Sequence, residues 1–175
     1  MTQLQAKREG LERELARRGL EIPVTLGTQF LTPSIGDAVG WCREHAIERI
    51  VGLTTYPVCG RSTTVASLEE LSREVEARDS FAEIIGVGGW HAHPGFAAVW
   101  VTAIREYAQG EGVQLLEPGS LLYFSAHGTP LKYLERLPYT EYVEALCSTI
   151  AHSLGGVKHV LGYQNHGNRP VQWVE

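Results

Sequence analysis

The stretch LLYFSAHGTP, Leu121–Pro130, joins a run of apolar residues to an imidazole. The apolar run is typical of a strand that is buried on both faces in a parallel sheet. His127 follows the run, and Gly128 and Pro130 then turn the chain away. In open α/β sheets ligands bind at the carboxyl ends of the strands, so His127 is a candidate catalytic or metal-binding residue. The alternative is an ordinary loop histidine that is hydrogen-bonded to the backbone.

Strand-like and helix-like segments alternate along the rest of the chain. The strand-like segments are Ile22–Phe30, Arg49–Tyr56, Ala82–Trp90, Leu121–Ala126 and His159–Gln164. Between them lie segments with apolar residues at helical spacing, of which one begins at Ser34 and another spans Tyr139–Leu154. This alternation predicts an α/β fold with parallel sheets and helices on both faces. Residues 110–119 are the most loop-like, which predicts a lobe boundary between 1–112 and 113–175.

The composition is that of a soluble globular protein, with 43% hydrophobic and 20% charged residues among 175. No apolar run reaches the ~18 residues that span a bilayer, and the first residues lack the apolar core of a signal peptide, so we expect a cytoplasmic protein. The net charge of −5, from 15 Lys and Arg against 20 Asp and Glu, argues against nucleic acid as a partner. Cys42, Cys59 and Cys147 lie far apart and are expected to be reduced thiols.

The hydroxyl-rich sequence S-T-T at residues 62–64 follows a predicted strand and precedes a predicted helix. One interpretation is a plain helix cap, in which a hydroxyl accepts from a backbone N–H. The other is that the same hydroxyls and N–H groups also hold a carboxylate or another anion. The sequence leaves both open.

The sequence W-H-A-H at residues 90–93 offers two alternating histidines, His91 and His93. Such a pair can chelate a metal, although no third or fourth ligand follows at a recognisable spacing. We favour Trp90 as the wall of a cleft. The sequence G-V-G-G at residues 86–89 lies within a predicted strand and does not spell a nucleotide-binding loop, so nucleotide binding is not expected.

Stretches in chain order resemble the ferrochelatase family. LLYFSAHGTP resembles its signature strand, apolar-apolar-F-S-A-H-[GS]-x-P, and TTYPVCGRSTTVASLEEL resembles its Y-P-x-x-x-x-S-T-T-x-x-S-L segment. VGGWHAHPGFAAVWVTAI is similar to its tryptophan-bearing strand and the following helix. LPYTEYVEALCSTIAHSL is similar to the helix that starts at D-P-Y, and YQNHGNRPVQW follows the form Q-S-x-G-N-x-P-x-x-W. The matches extend from Phe30 to Trp173.

The resemblance implies two Rossmann-like lobes around a porphyrin cleft, with 1–112 as the later part of the first lobe and 113–175 as the early part of the second. It implies insertion of Fe²⁺ into protoporphyrin IX or coproporphyrin III, a lyase reaction of haem biosynthesis. His127 is then the catalytic residue, as a metal ligand, an acceptor of pyrrole protons, or both. The substrate-binding residues would be Phe30, Tyr56, Ser62, Thr63 and Trp90. Iron is a substrate, and no tightly bound cofactor is expected.

The sequence departs from the family pattern at several positions. Val65 replaces the usual glycine after S-T-T, Leu137 replaces the aspartate of D-P-Y, and Gln29 stands where many members have a basic residue. The resemblance covers the middle part of a family member, without the acidic motif whose glutamate faces the histidine. We therefore expect the chain alone to be incomplete: a fragment, a split gene product or an inactive remnant, or a chain completed by a second polypeptide or a second copy.

Two other functions remain open. One is a short homodimeric chelatase that inserts cobalt or nickel into sirohydrochlorin. The other is a porphyrin- or haem-binding remnant without catalysis. The sequence also leaves open which porphyrin is used, the oligomeric state, and the roles of His91, His93 and His166.

Overall fold

The structure is a computed structural model that describes residues 2–78, 82–164 and 171–174. Its helices and strands are, in chain order, α1 (Thr2–Arg17), α2 (Ile35–Glu44), β1 (Arg49–Leu53), α3 (Ala66–Ala77), β2 (Glu83–Val87), α4 (Pro94–Gly110), β3 (Leu122–His127), α5 (Tyr139–Ser153) and β4 (His159–Gln164). β1 pairs in parallel with β2, and β3 pairs in parallel with β4. The predicted α/β class with parallel sheets is confirmed. Of the helices in these ranges, none has the length and apolarity needed to cross a membrane.

The described residues group into two compact units. Unit 1 comprises residues within 1–53 and 66–87, and unit 2 comprises residues within 54–65 and 88–175. The segment that follows β1 and the segments that follow β2 therefore belong to unit 2. The predicted lobes, which meet at residue 112, divide the chain at a different place, and the lobe division stays a prediction.

The core of unit 1 forms where α2 and α3 pack against the sheet of β1 and β2. Both helices carry apolar residues at helical spacing, and the buried ones are Ile35, Val39, Leu71 and Val75. Ile50 and Ile84, which are paired across the sheet, pack against these residues. Because side chains alternate along a strand, the opposite face of the sheet carries Val51, Leu53 and Ile85, which are exposed.

The core of unit 2 forms where α4 and α5 pack against β3. Its buried residues are Ala97, Val101, Ile150, Ala151, Leu154 and Val157. The alanines on both helices are small, which lets the helices approach closely. Leu122 and Phe124 of β3 lie against this cluster. The residues that alternate with them, among them Tyr123 and His127, are exposed on the other face of the strand.

Residues 22–30 do not form the predicted strand. They run as irregular chain to an isolated bridge between Thr28 and Ser34. The Thr28 N–H donates to the Pro33 C=O at 2.9 Å, and the Ile35 N–H donates to the Thr28 C=O at 3.1 Å. This part of the prediction is wrong because the backbone groups at the end of the segment bond locally instead of joining a ladder. Within the described ranges, β1 pairs only with β2.

Helix α2 begins at a capping box, which confirms Ser34 as its N-cap. The Ser34 hydroxyl accepts from the Asp37 N–H at 3.0 Å, and the Asp37 carboxylate accepts from the Ser34 N–H at 2.8 Å. The bonds to Ser34, first of all the one from its backbone N–H, hold the pKa of Asp37 below its ordinary value. The cap fixes the start of the helix that supplies Ile35 and Val39 to the core.

We expect Asp37→Asn to lower the melting temperature at neutral pH and to have no effect in acid. The folded-state pKa of Asp37 is depressed, so its stabilisation is present above the ordinary aspartate pKa and is lost as pH falls through the lowered value. Thermal unfolding of both proteins from neutral pH down to about pH 2 measures this difference. Glu76→Gln, on the exposed side of α3, is the control. A difference for Asp37→Asn that persists unchanged in acid would contradict the assignment.

We expect Ile150→Ala to lower the free energy of unfolding by about 2 to 5 kcal/mol, because it opens a cavity in the core of unit 2. Ile150 is 2% exposed. Val99→Ala, at a position of α4 that is 66% exposed, is the matched control and should change stability by less than about 0.5 kcal/mol. Urea unfolding followed by circular dichroism measures both. Equal effects of the two substitutions would show that Ile150 is not a core residue.

Candidate functional site

His127 is the last residue of β3. It is in register with Gln164 of β4, and the Gly128 N–H donates to the Gln164 C=O at 2.8 Å. The imidazole lies on the face of β3 opposite the core and is exposed. Parallel pairing thus fixes the backbone up to His127 and presents its side chain at the carboxyl end of the sheet, where ligands bind in this class of fold.

Tyr139, the first residue of α5, contacts this strand end directly. Its hydroxyl donates to the His127 C=O at 3.1 Å. Burial raises the pKa of the Tyr139 phenol, so the hydroxyl stays protonated and donates at neutral pH. The ring also lies beside Gly60, where an added Cβ would be 3.9 Å from Tyr139 Cδ2. One side chain therefore connects the end of β3 with the loop that leads to residues 61–65.

Trp90 lies in a 3₁₀ turn, Trp90–Ala92, and not at the end of the preceding strand, because β2 already ends at Val87. Its indole Nε1 donates to the Thr54 C=O at 2.9 Å. Its ring meets the Phe96 ring edge to face, with 5.0 Å between the centroids. These two contacts hold the half-buried indole in a fixed orientation, as a cleft wall requires.

Tyr56 lies in the loop after β1, since that strand ends at Leu53 and not at residue 56 as predicted. The side chain is 41% exposed. The next residue, Pro57, accepts a hydrogen bond at its C=O from the His91 N–H at 3.0 Å. This hydrogen bond connects the loop that carries Tyr56 with the turn that carries Trp90, so the structure brings these two predicted residues into neighbouring segments.

Two glycines, Gly88 and Gly89, allow the chain before Trp90 to pack against the neighbouring turn. A Cβ on Gly88 would collide with the Thr64 side chain, so only glycine fits beside the turn at residues 61–65. Gly89 has φ +67°, a left-handed conformation that favours glycine, and it precedes the 3₁₀ turn of Trp90. The glycines before the tryptophan are therefore explained by close packing and by backbone conformation.

The S-T-T sequence does not form the expected N-cap of α3. Residues Arg61–Val65 form a π-helical turn, in which the N–H groups of Thr63 and Val65 both donate to the Gly60 C=O, at 3.4 and 3.1 Å. The Thr63 hydroxyl also donates to this carbonyl, at 3.3 Å. Ser62 is exposed. Of the two interpretations, the plain cap does not describe this turn, because its N–H groups donate to the Gly60 carbonyl. Anion binding by Ser62 and Thr63 stays a prediction.

The two histidines after Trp90 have separate structural roles. Nδ1 of His93 accepts from the Gly95 N–H at 3.1 Å and caps α4. The His91 ring contacts the Tyr142 ring in a tilted arrangement, with 4.6 Å between the centroids and 35° between the planes. In the described part of the chain, no group of three or more His, Cys, Asp or Glu side chains is arranged to hold a metal ion. His166 lies outside the described residues.

Phe30 belongs to unit 1, whereas Tyr56, Ser62, Thr63, Trp90 and His127 all belong to unit 2. It follows the bridge of Thr28 and is 86% exposed. The preceding Gln29 is anchored, since its amide oxygen accepts from the Ser67 hydroxyl at 2.9 Å. A substrate-binding role for Phe30 stays a prediction.

The half-buried Tyr163 and the buried thiol of Cys147 on α5 are neutral at physiological pH. Burial raises the pKa of Tyr163 to about 12, with smaller contributions from Glu144, Tyr139 and Cys147. Burial likewise raises the pKa of Cys147 to about 11. All three cysteines of the chain are free in the structure. Tyr163 and Cys147 provide neither a base nor a reactive thiolate, whereas the His127 imidazole at the end of β3 is exposed.

The first turn of α5 was missed by sequence reasoning. Tyr139 contacts His127, and Tyr142, one turn further, contacts His91. The available indication was the sequence L-P-Y at residues 137–139, where Pro138 is the N-cap and Tyr139 begins the helix.

The sequence matches the ferrochelatase family over residues 1–175. It is 31% identical to the ferrochelatase of Gloeobacter violaceus, over 94% of this chain and 51% of that protein. It is 30% identical to the ferrochelatase of a Cyanothece species, over 95% of this chain and 43% of that protein. For the ferrochelatase of a Geobacter species the identity is 27%, over 98% of this chain and 52% of that protein.

The chain thus spans about half the length of the curated relatives it matches. The matching family agrees with the motif order, and the S-A-H-G sequence of that resemblance lies at the end of β3 in the structure. Parallel strands, a histidine at a strand end and the matched sequence lead to one assignment: the chain belongs to the ferrochelatase family.

Proposed function

We propose that this chain contributes the metal-inserting histidine of a ferrochelatase, a lyase of haem biosynthesis that inserts Fe²⁺ into a porphyrin. One observation carries the proposal. In a member of this family, the exposed imidazole of His127 stands at the carboxyl end of β3, within the S-A-H-G sequence. The family resemblance assigns catalysis to this position, and the structure leaves the side chain accessible.

The chemistry needs a base and a transient metal ligand close to the ring. Insertion forms bonds between iron and the pyrrole nitrogens, and the N–H protons of the free porphyrin leave. A neutral imidazole accepts a proton near neutral pH and is a ligand that divalent iron tolerates. His127 therefore acts as the acceptor of a pyrrole proton, as a ligand of the incoming Fe²⁺, or as both.

Aromatic side chains hold the flat macrocycle in this proposal. Trp90 is the best supported, because its indole is fixed by Thr54 and Phe96. Tyr56 is next, since its loop is bonded to the turn of Trp90. Phe30 completes the aromatic set. A wall that bends the macrocycle exposes a pyrrole lone pair to the metal.

Polar groups orient the substrate in the same proposal. Ser62 is exposed and Thr63 half-buried in the turn next to Gly60, where their hydroxyls hold a propionate or the loop geometry. The substrate is protoporphyrin IX or coproporphyrin III, and iron is consumed as a substrate, with no tightly bound cofactor.

We further propose that the chain alone does not complete the cleft. The curated relatives are about twice as long as the region matched. The rest of the cleft then comes from a longer protein of which this chain is a fragment, from a second polypeptide or from a second copy of this chain, in the cytoplasm. The isolated 175-residue chain is accordingly a poor chelatase.

We expect His127→Ala to reduce metal insertion by about 100-fold or more while porphyrin binding persists, because a general base contributes about that much to rate. Absorbance titration with protoporphyrin and coproporphyrin measures binding, and the same spectra follow Fe²⁺ or Zn²⁺ insertion. His152→Ala, at an exposed position late in α5, is the matched control and keeps full activity.

The same assays distinguish the other functions. Binding without turnover in the wild-type protein as its gene encodes it, with any second chain of the cleft present, indicates a porphyrin-binding remnant. Insertion of cobalt or nickel into sirohydrochlorin, without activity on porphyrins, indicates the other chelatase class. Turnover of porphyrin that survives His127→Ala would refute the site assignment.

We expect Tyr56→Ala to weaken porphyrin binding about tenfold, the loss of one aromatic contact, with an unchanged melting temperature. Its side chain is partly exposed, so little packing is lost. Tyr107→Ala, at an exposed position of α4, is the control. Unchanged affinity for both porphyrins in Tyr56→Ala would remove this residue from the proposed wall.

A further inference from the structure

The position of the His127 imidazole depends on a strand end. The ladder with β4 holds the backbone up to the bond between the Gly128 N–H and the Gln164 C=O. Beyond that bond the chain leaves the sheet. Strand ends open more readily than strand centres, so a catalytic side chain at this place needs a further restraint. For the imidazole itself, no hydrogen bond is seen within the described ranges.

The Tyr139 hydroxyl supplies a restraint of this kind. Between His127 and Tyr139 the chain forms a loop that includes the 3₁₀ turn Leu131–Tyr133. Two hydrogen bonds connect this loop with the C-terminal segment. The Leu131 N–H donates to the Gln172 C=O at 2.9 Å, and the Val174 N–H donates to the Thr129 C=O at 3.0 Å. The hydrogen bond from the Tyr139 hydroxyl to the His127 C=O joins the two ends of this loop.

Tyr139 is itself held in place. It starts α5 directly after Pro138, whose ring restricts the backbone at the start of the helix. The ring is half-buried and lies beside Gly60, the residue whose carbonyl receives the donors of the turn at 61–65. One turn further, the Tyr142 ring contacts the His91 ring in a tilted arrangement. The donor therefore comes from a rigid element, and its direction toward His127 is set before any ligand binds.

We propose that Tyr139 is a positioning residue for metal insertion: its hydroxyl, bound to the His127 carbonyl, fixes the direction in which the imidazole projects toward the substrate. The inference rests on the proposed function. Small displacements of a catalytic group cost large factors in rate, because the reacting atoms must meet within narrow limits. Since the Tyr139 hydroxyl is engaged with the backbone, it acts on the rate of insertion and not on the affinity for porphyrin.

The test compares Tyr139→Phe with the wild type in the protein as its gene encodes it. The substitution removes the hydroxyl and keeps the ring, so the contact beside Gly60 remains. We expect kcat for Zn²⁺ insertion to fall about tenfold with an unchanged KM for porphyrin, as for an interaction that acts in the transition state. Tyr107→Phe, on the exposed side of α4, is the control and leaves both constants unchanged.

A second readout needs no activity. In ¹H–¹³C spectra of the histidine rings, the His127 signal is assigned by its loss in His127→Gln. We expect this signal to shift or broaden in Tyr139→Phe without porphyrin, and to stay unchanged in Tyr107→Phe. An altered signal in a protein without chelatase activity refutes the proposed function and supports the positioning role.

Two results would overturn the inference. One is an unchanged His127 signal together with an unchanged kcat in Tyr139→Phe. The other is a lower melting temperature and lower kcat with an unchanged His127 signal, which would show that Tyr139 only stabilises the fold.

Discussion

The parallel pairing of β3 with β4 is the constraint on which the candidate site depends. Its register sets His127 opposite Gln164, and the alternation of side chains then determines that Leu122 and Phe124 face the core while His127 faces outward. A slip of one residue would bury the imidazole and expose the apolar residues. The burial of β3 against α4 and α5 therefore selects the register and, with it, the exposure of the His127 imidazole.

Most elements could be predicted because their sequence patterns are local. The helical spacing of Leu71 and Val75 and the capping serine before α2 each depend on one helix alone, so they can be recognised without knowledge of the tertiary structure. The strand predicted for residues 22–30 was wrong because a strand needs a neighbouring strand for its hydrogen bonds. Apolar content alone does not show that such a neighbour exists. The turn at residues 61–65 could not be read from the sequence for a related reason. Hydroxyls before a helix are compatible with a cap, and only the structure shows that the Gly60 carbonyl accepts the bonds of this turn.

The sequence singles out His127 and Trp90 as candidates, whereas it does not show the contacts that hold them. Trp90 and His127 stand out because bulky or titratable side chains are unusual beside glycines after an apolar run. Their partners are backbone carbonyls, those of Thr54 for Trp90 and of His127 itself for Tyr139. Every residue has a backbone carbonyl, so a hydrogen bond to a carbonyl leaves no sequence motif. Only the tertiary structure shows which donor reaches it.

The chemical nature of the restraint on His127 matters as much as its position. A metallation site gains positive charge, from the divalent ion and from the imidazole that accepts a proton. A carboxylate placed there to orient the histidine would attract both charges and change the basicity of the ring. A phenol whose pKa is raised by burial stays neutral, and it binds the backbone carbonyl, not the ring. In the proposed reaction, Tyr139 fixes geometry and leaves the imidazole free to accept a proton from the substrate, as a base in that reaction must do.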